Sequence, residues 1–318
     1  MEASSNKNTD ANSGNALKSY RSHPIIYPNY LEQPKQMSPI LNVGIKAARR
    51  AGSIILRYLD RLDQLSVEKK GRNDFVSEVD RMAEEDIIDT IHYLYPHHQI
   101  LAEESGQQHS PDKDHLPKGK NNLDDQDVEW IIDPLDGTTN YLHGHPHFCV
   151  SLAARIKGRI EYGIIFDPLR DEIFTASRGQ GAQLNNRRIR VSGQGRFEQS
   201  LIATGYPTRN MAYYDAWMNS FRAILPKVSN IRYSGSAALD LAYVASGRVD
   251  GYFEPGLAIW DIAAGALMVR EAGGLVADFK GDQDFLNSGH IVAGNHRLFN
   301  HLMSVVKNRS AHLIDRTS

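Results

Sequence analysis

Apolar residues in this chain recur in two rhythms, and the change from one to the other divides it. Leu41, Ile45, Ala48, Gly52, Ile55 and Leu59 follow each other at the three- and four-residue spacing of one helix face. Ser38-Pro39 just ahead is a helix start, with proline at the first helical position. A second amphipathic helix is predicted over about 79–94, with Ile87, Ile91 and Leu94 on its apolar face and Pro96 ending it. Beyond Pro96 the helical period gives way to short apolar runs. Residues 99–102, 129–132, 148–156, 159–166 and 172–176 are predicted strands, Lys157-Gly158 a turn, and 178–191 (RGQGAQLNNRRIRV) a glycine-containing hairpin. In the second half, strands at 200–204, 230–233, 275–279 and 291–293 alternate with helices near 213–224, 237–246, 262–272 and 296–306. This order predicts an α+β (mixed α/β) protein with two sheets in layers rather than one doubly wound sheet.

The flanks lack both rhythms. Up to Ser22 the only apolar side chains are Met1, Ala3, Ala11, Ala16, Leu17 and Tyr20, too few to offset the entropy of ordering. Residues 1–37 are therefore expected to form a poorly ordered arm, 105–127 a polar loop, and 308–318 a tail. Between them, 38–307 is expected to be one domain with two sub-regions, about 38–195 and 196–307.

Composition narrows the function classes. The 318 residues carry 36 Lys+Arg and 38 Asp+Glu, so the basic excess of a nucleic-acid-binding domain is missing. The single cysteine, Cys149, precludes an intrachain disulfide and fits a reducing compartment; inside an apolar strand it is expected to be a small buried hydrophobe. No run of about 18 apolar residues suggests a membrane span, and no signal-peptide core opens the chain. A cytoplasmic globular protein is expected.

Position, not number, makes the acids informative. In EWIIDPLDGTTNY (129–141), Asp133 and Asp136 lie three apart after a predicted strand, and Pro134 disfavours helix at Asp133. Carboxylates so placed can hold hard divalent cations, and the N–H groups of Gly137 and Thr138 can receive a phosphate. Acids around a glycine turn also serve simply as turn or cap residues. Two other clusters shift the balance: Glu103-Glu104 ends another predicted strand, and Asp261, alone readable as an N-cap, precedes a helix. His143, His145 and His147 invite a zinc reading, but Gly144 and Pro146 disturb a regular ligand array. Neither a GxGxxG dinucleotide turn nor a P-loop is present. A haloacid-dehalogenase nucleophile would need acids two apart; Asp125 and Asp127 have that spacing but lack the supporting Thr or Val two positions later.

Taken in order, GRNDFVSEVD, EEDIIDTI, AEESG, WIIDPLDGTTN, SLAARIKGR, GSAALDLAYVASGRVDGYFEPG and WDIAAGALMVREAGG resemble the inositol monophosphatase family. The resemblance spans residues 38–307 and is nearest the bacterial inositol-1-monophosphatase branch. It implies a layered αβαβα sandwich of the inositol monophosphatase and fructose-1,6-bisphosphatase type, a homodimer, two or three Mg²⁺ ions, lithium inhibition, and hydrolysis of inositol 1-phosphate by metal-activated water. By that resemblance Glu103, Asp133 and the Leu135 carbonyl match ligands of a first ion, and Asp133, Asp136 and Asp261 those of a second. A third ion would use Glu103 largely through waters. Gly137 and Thr138 match a phosphate-binding turn, with Thr138 paired to Asp80 near the attacking water. Gly235, Ser236 and Ala237 match a substrate-lining turn, and Glu254 a contact to substrate hydroxyls. A basic residue often found near the histidine segment in the family is missing here, which bears on the mouth of the site rather than on the acids. Relatives of this fold also act on fructose 1,6-bisphosphate or 3′-phosphonucleotides, so the metal acids alone leave the substrate open. A scaffold or regulatory protein with a macromolecular partner is the alternative from another class.

Overall fold

The computed structural model describes residues 38–62, 67–71, 74–108, 127–207 and 210–309. The expected arm 1–37 lies outside the described residues, as do 109–126 of the expected loop and 310–318 of the expected tail.

Helix α1 (Pro39–Leu59) starts at the predicted proline, although the Ser38 side chain makes no capping bond. A β1–β2 hairpin (Val67–Gly71, Asp74–Ser77) that the hydrophobic pattern does not announce leads into α2 (Glu78–Leu94). Ser77 caps α2, its hydroxyl accepting the Val79 N–H at 3.2 Å. Next come β3 (Gln99–Ala102), β4 (Gly106–Gln108), β5 (Val128–Asp136), the short α3 (Thr138–Leu142), β6 (Cys149–Ile156), β7 (Arg159–Asp167), β8 (Glu172–Ser177), β9 (Gly181–Leu184) and β10 (Arg187–Ile189). Asn185 and Asn186, both at positive φ, make the β9–β10 turn. The second half supplies β11 (Leu201–Thr204), α4 (Tyr214–Ile224), β12 (Asn230–Arg232), α5 (Ala237–Ala245), β13 (Gly251–Glu254), α6 (Ile259–Glu271), β14 (Gly274–Ala277), α7 (Phe285–Ser288), β15 (Ile291–Asn295) and α8 (Phe299–Arg309).

Among the described residues, an eight-stranded sheet runs β10-β9-β8-β7-β6-β5-β3-β4 and a five-stranded one β12-β11-β13-β15-β14. Side chains alternate across the large sheet as the pleat requires. Trp130 and Ile132 of β5 join the core under α1 and α2, whereas Ile131 joins the core that holds α5 and α6. Helices α5 and α6 contact both sheets, and α8 covers the far side of the small one with α4 against it. The layers are thus helix, sheet, helix, sheet, helix, the αβαβα sandwich that the resemblance implied.

Burial on two sides explains the composition of the middle layer. Nine residues of α6, Asp261 to Val269, are buried in sequence, and small side chains at Ala263, Ala264, Gly265 and Ala266 let both sheets approach. A helix apolar all round belongs between two layers rather than at a surface. Among the described residues, no helix is long and apolar enough to cross a membrane.

Candidate active site

Parallel strands in both sheets end at one cleft of about 510 Å³. β3 and β5 are parallel in the large sheet, and β12, β11 and β13 in the small one. Their carboxyl ends deliver Glu103, Asp133, Asp136, Tyr206, Tyr233 and Glu254 to the cleft wall, the usual place for a ligand in such sheets.

Strand β5 runs further than predicted, because the 133–136 segment continues it through a bulge in the β5–β6 pairing instead of following its end. Pro134 has no N–H to give the ladder, and the Leu135 N–H donates to Asp133 Oδ1 at 3.0 Å. Pairing resumes with Asp136 opposite Cys149, so the extra residues re-aim both aspartates. Helix α6 begins three residues before its predicted start, which corrects the N-cap reading of Asp261. The residue lies inside the first turn, and its Oδ2 accepts the Ala258 N–H at 2.7 Å. Asp136 Oδ2 accepts the Ser236 hydroxyl and the Ala238 N–H, both at 2.7 Å, at the start of α5.

These folds bring one oxygen each from Asp133, Asp136 and Asp261 within 4.8 Å of one another, all three residues buried. Glu103 and Leu135 line the same cleft outside that trio. At that separation each pair of full charges repels by roughly 3–4 kcal/mol at an effective dielectric of about 20. Desolvation adds several kcal/mol per ion. The few hydrogen bonds, each about 1.5–3 kcal/mol, do not offset the sum. Accordingly burial, then Asp261, pushes the Asp136 carboxyl upward. Protons or cations must reside here, and an all-oxygen, multiply anionic donor set suits a hard divalent cation.

Beside the trio, Gly137 adopts φ 98°, and a Cβ there would lie 3.0 Å from the His147 carbonyl oxygen, so glycine is required. Thr138 Oγ1 sits 3.0 Å from Asp80 Oδ1 and 3.1 Å from the Leu135 carbonyl oxygen. The other Asp80 oxygen accepts the Ser77 N–H at 2.9 Å and the Ser77 hydroxyl. Burial pushes the Asp80 carboxyl upward against these donors. Gly235, Ser236 and Ala237 line the opposite wall. Glu254 is packed so closely on Gly205 that any Cβ there would collide with its carboxylate. Its carboxylate accepts the Tyr252 hydroxyl, and burial raises its pKa well above the ordinary value.

The three histidines diverge: His143 and His145 are exposed and His147 is buried. Among the described residues the aspartate trio is the one cluster with metal-binding geometry. Residue-by-residue reading missed a cross-link under the site. His147 Nε2 lies 3.4 Å from Asp240 Oδ1, both buried. Asn140 Nδ2 donates to the His147 and Ser234 carbonyls at 2.7 and 2.8 Å. These contacts bind the 137–148 turn to the 234–237 turn. A lone acid within the apolar stretch AALDLAYVA was the available signal for Asp240. Cys149 is buried as expected, and burial raises its thiol pKa.

Comparison with known proteins agrees with this architecture. Residues 36–311 match the model of the inositol monophosphatase family. Nus factor SuhB of Pseudomonas aeruginosa is 48% identical over 273 residues, which cover 85% of this chain and 97% of that protein. The crystal structure of extragenic suppressor protein suhB from Bartonella henselae superposes with a TM-score of 0.78 at 42% identity, covering 85% of this chain and 99% of that one. An IMPase of Thermotoga maritima gives 0.74 at 35% identity, covering 86% and 99%.

Proposed function

This chain belongs to the inositol monophosphatase family, and on that footing we propose that it is a Mg²⁺-dependent phosphomonoesterase acting on inositol 1-phosphate. One observation carries the proposal: three buried aspartates from a strand bulge and a helix start converge within 4.8 Å in a cleft large enough for a small phosphate ester. Asp133, Asp136, Asp261, Glu103 and the Leu135 carbonyl would hold the ions. Bound there, Mg²⁺ supplies Lewis-acid activation of water and neutralises charge on the phosphate and departing alkoxide.

The chain's own groups do the rest. Gly137 and Thr138 receive the phosphate. When the Thr138 hydroxyl donates to Asp80, its lone pairs are free to accept a proton of the attacking water, and Asp80 is the next acceptor in line. Gly235, Ser236, Ala237 and Glu254 face the alcohol. Residues 38–307 act as one catalytic domain, and the reading carries with it a homodimer, a cytoplasmic location and lithium inhibition.

Thr138→Ala tests the relay: kcat for inositol 1-phosphate should fall on the order of 10- to 100-fold, with KM changed far less. A rise in KM alone would reduce Thr138 to uniform substrate binding.

A second reading is favoured by the name of the Pseudomonas relative, a Nus factor: a regulatory role with a macromolecular partner, alongside catalysis or in its place. A variant unable to release phosphate but competent in that role would separate the two.

A further inference from the structure

The stretch of cleft wall between Glu254 and Asp261 is held from behind by a histidine to which the phosphatase chemistry gives no part. Residues 255–258 join the end of β13 to the start of α6, and Pro255, Gly256 and Leu257 line the cleft. Gly256 runs at φ 81°, and a Cβ there would lie 2.7 Å from the Tyr213 ring, so the backbone rests directly on that ring. The Gly256 N–H donates to His290 Nδ1 at 3.2 Å. The next N–H, of Leu257, donates to the Gly289 carbonyl at 2.8 Å, and that of Ala258 to Asp261 Oδ2 at 2.7 Å. Three successive amides thus tie the loop down, and two of their acceptors come from the residues just before β15. Glu254 pairs with Ile291 across β13 and β15, so His290 adjoins the strand partner of Glu254.

The bond at Gly256 depends on a proton. A backbone N–H only donates, so His290 Nδ1 must be bare and the ring hydrogen must sit on Nε2. Once both nitrogens carry hydrogen, the ring sets an N–H against the Gly256 N–H, and the bond is lost. Rings on two sides hold the imidazole in place: Tyr213 meets it edge to face at 4.8 Å, and Phe279 lies 5.3 Å away. Tyr213 faces it from the turn before α4, and Asp278 and Lys280, of opposite charge, face it from the segment after β14. The 255–257 loop brings no charged side chain to it. Burial pushes the His290 pKa below its ordinary value, so the folded ring is neutral where an exposed histidine would already be charged.

We propose that His290 is a positioning residue for this wall of the cleft: its neutral imidazole accepts the Gly256 N–H and fixes the loop that joins Glu254 to Asp261, and protonation releases that loop. The effect on turnover rests on the phosphatase reading; the brace itself does not. The experiment uses the full-length protein in saturating Mg²⁺ between pH 8 and pH 5, with two variants. His290→Asn places a non-titrating acceptor, Oδ1, where Nδ1 stands, and His290→Phe keeps a ring against Tyr213 and Phe279 without an acceptor. Ring ¹⁵N shifts at pH 8 should show hydrogen on Nε2 alone. In His290→Phe, KM for inositol 1-phosphate should rise about threefold or more at pH 8, with kcat changed less, and His290→Asn should restore it. As pH falls to 5, KM of the unmodified protein should rise by a similar factor relative to His290→Asn. Stability carries the same sign: a histidine held neutral by folding stabilises fully above its unfolded pKa, and this is lost as pH falls through the folded value. The Tm advantage of the unmodified protein over His290→Asn should therefore shrink from pH 8 to pH 5. Hydrogen on Nδ1 at pH 8, a pH-independent Tm difference, or a His290→Phe variant with unchanged KM overturns the brace. If inositol 1-phosphate is not hydrolysed at all, the phosphatase reading falls, and the ring tautomer and the Tm difference still decide the brace.

Discussion

Replacing Asp133 by Asn should lower kcat for phosphate release on the order of a thousandfold while leaving the fold intact. The substitution is isosteric, and the hydrogen bond that Oδ1 accepts from the Leu135 N–H at 3.0 Å can be kept by the amide oxygen. What disappears is the negative charge at the residue proposed to bridge two ions. Saturating Mg²⁺ should not restore turnover, because the lost charge weakens both positions together. Near-normal kcat in Asp133→Asn at saturating Mg²⁺ would remove the metal-acid mechanism. Loss of phosphate release with a regulatory role intact would show that the two functions are separable.

The second large effect is on stability. Asp136 has its pKa raised in the folded chain from 3.8 to about 7, first by burial and then by Asp261; Glu254 and Asp80 move in the same direction. The sign follows from proton counting. Above about pH 4 the unfolded chain has released a proton that the folded, metal-free chain still holds, so raising the pH favours unfolding until the raised value is passed. The metal-free protein should therefore lose Tm between about pH 4 and 7. Divalent cations bind the deprotonated carboxylates, so Mg²⁺ should raise Tm little at pH 5 and on the order of 5 °C at pH 8. That corresponds to about 2.7 kcal/mol at a hundredfold excess over Kd. Thermal melts with Mg²⁺ or chelator at both pH values measure this, and an increment equal at the two, or larger at pH 5, would contradict it.

Much of this molecule was legible in its sequence because its signals are local. Helices α1 and α2 follow a plain 3.6-residue period, and the acids of WIIDPLDG are fixed by a proline and a glycine within five residues. The layered architecture followed from the order of strands and helices. Long-range facts were less accessible. Strand β5 was predicted to end at Ile132 because Pro134 interrupts the apolar run; only the Asp136–Cys149 pairing shows that it continues through a bulge. Asp261 resembled a cap because the helix start depends on packing between two sheets rather than on local sequence. The β1–β2 hairpin, VEKKG and DFVS, is mostly polar and charged and has little hydrophobic rhythm to betray it. The link from His147 and Asn140 to Asp240 and Ser234 joins residues about ninety apart, with no spacing rule to predict it.

The middle helix layer has a consequence for biosynthesis. Asp133 and Asp136 belong to the first sheet, while Asp261 arrives with α6, which packs against both sheets. A ribosome-bound chain that has completed the large sheet holds only part of the anionic trio, and the exposed apolar face meant for α5 and α6 has no cover. Completion of the cation site therefore coincides with insertion of α6, late in synthesis, when almost the whole domain has emerged. On the proposed Mg²⁺ reading the full set of aspartates meets an ion only at that stage, after an interval in which the uncovered apolar face favours aggregation.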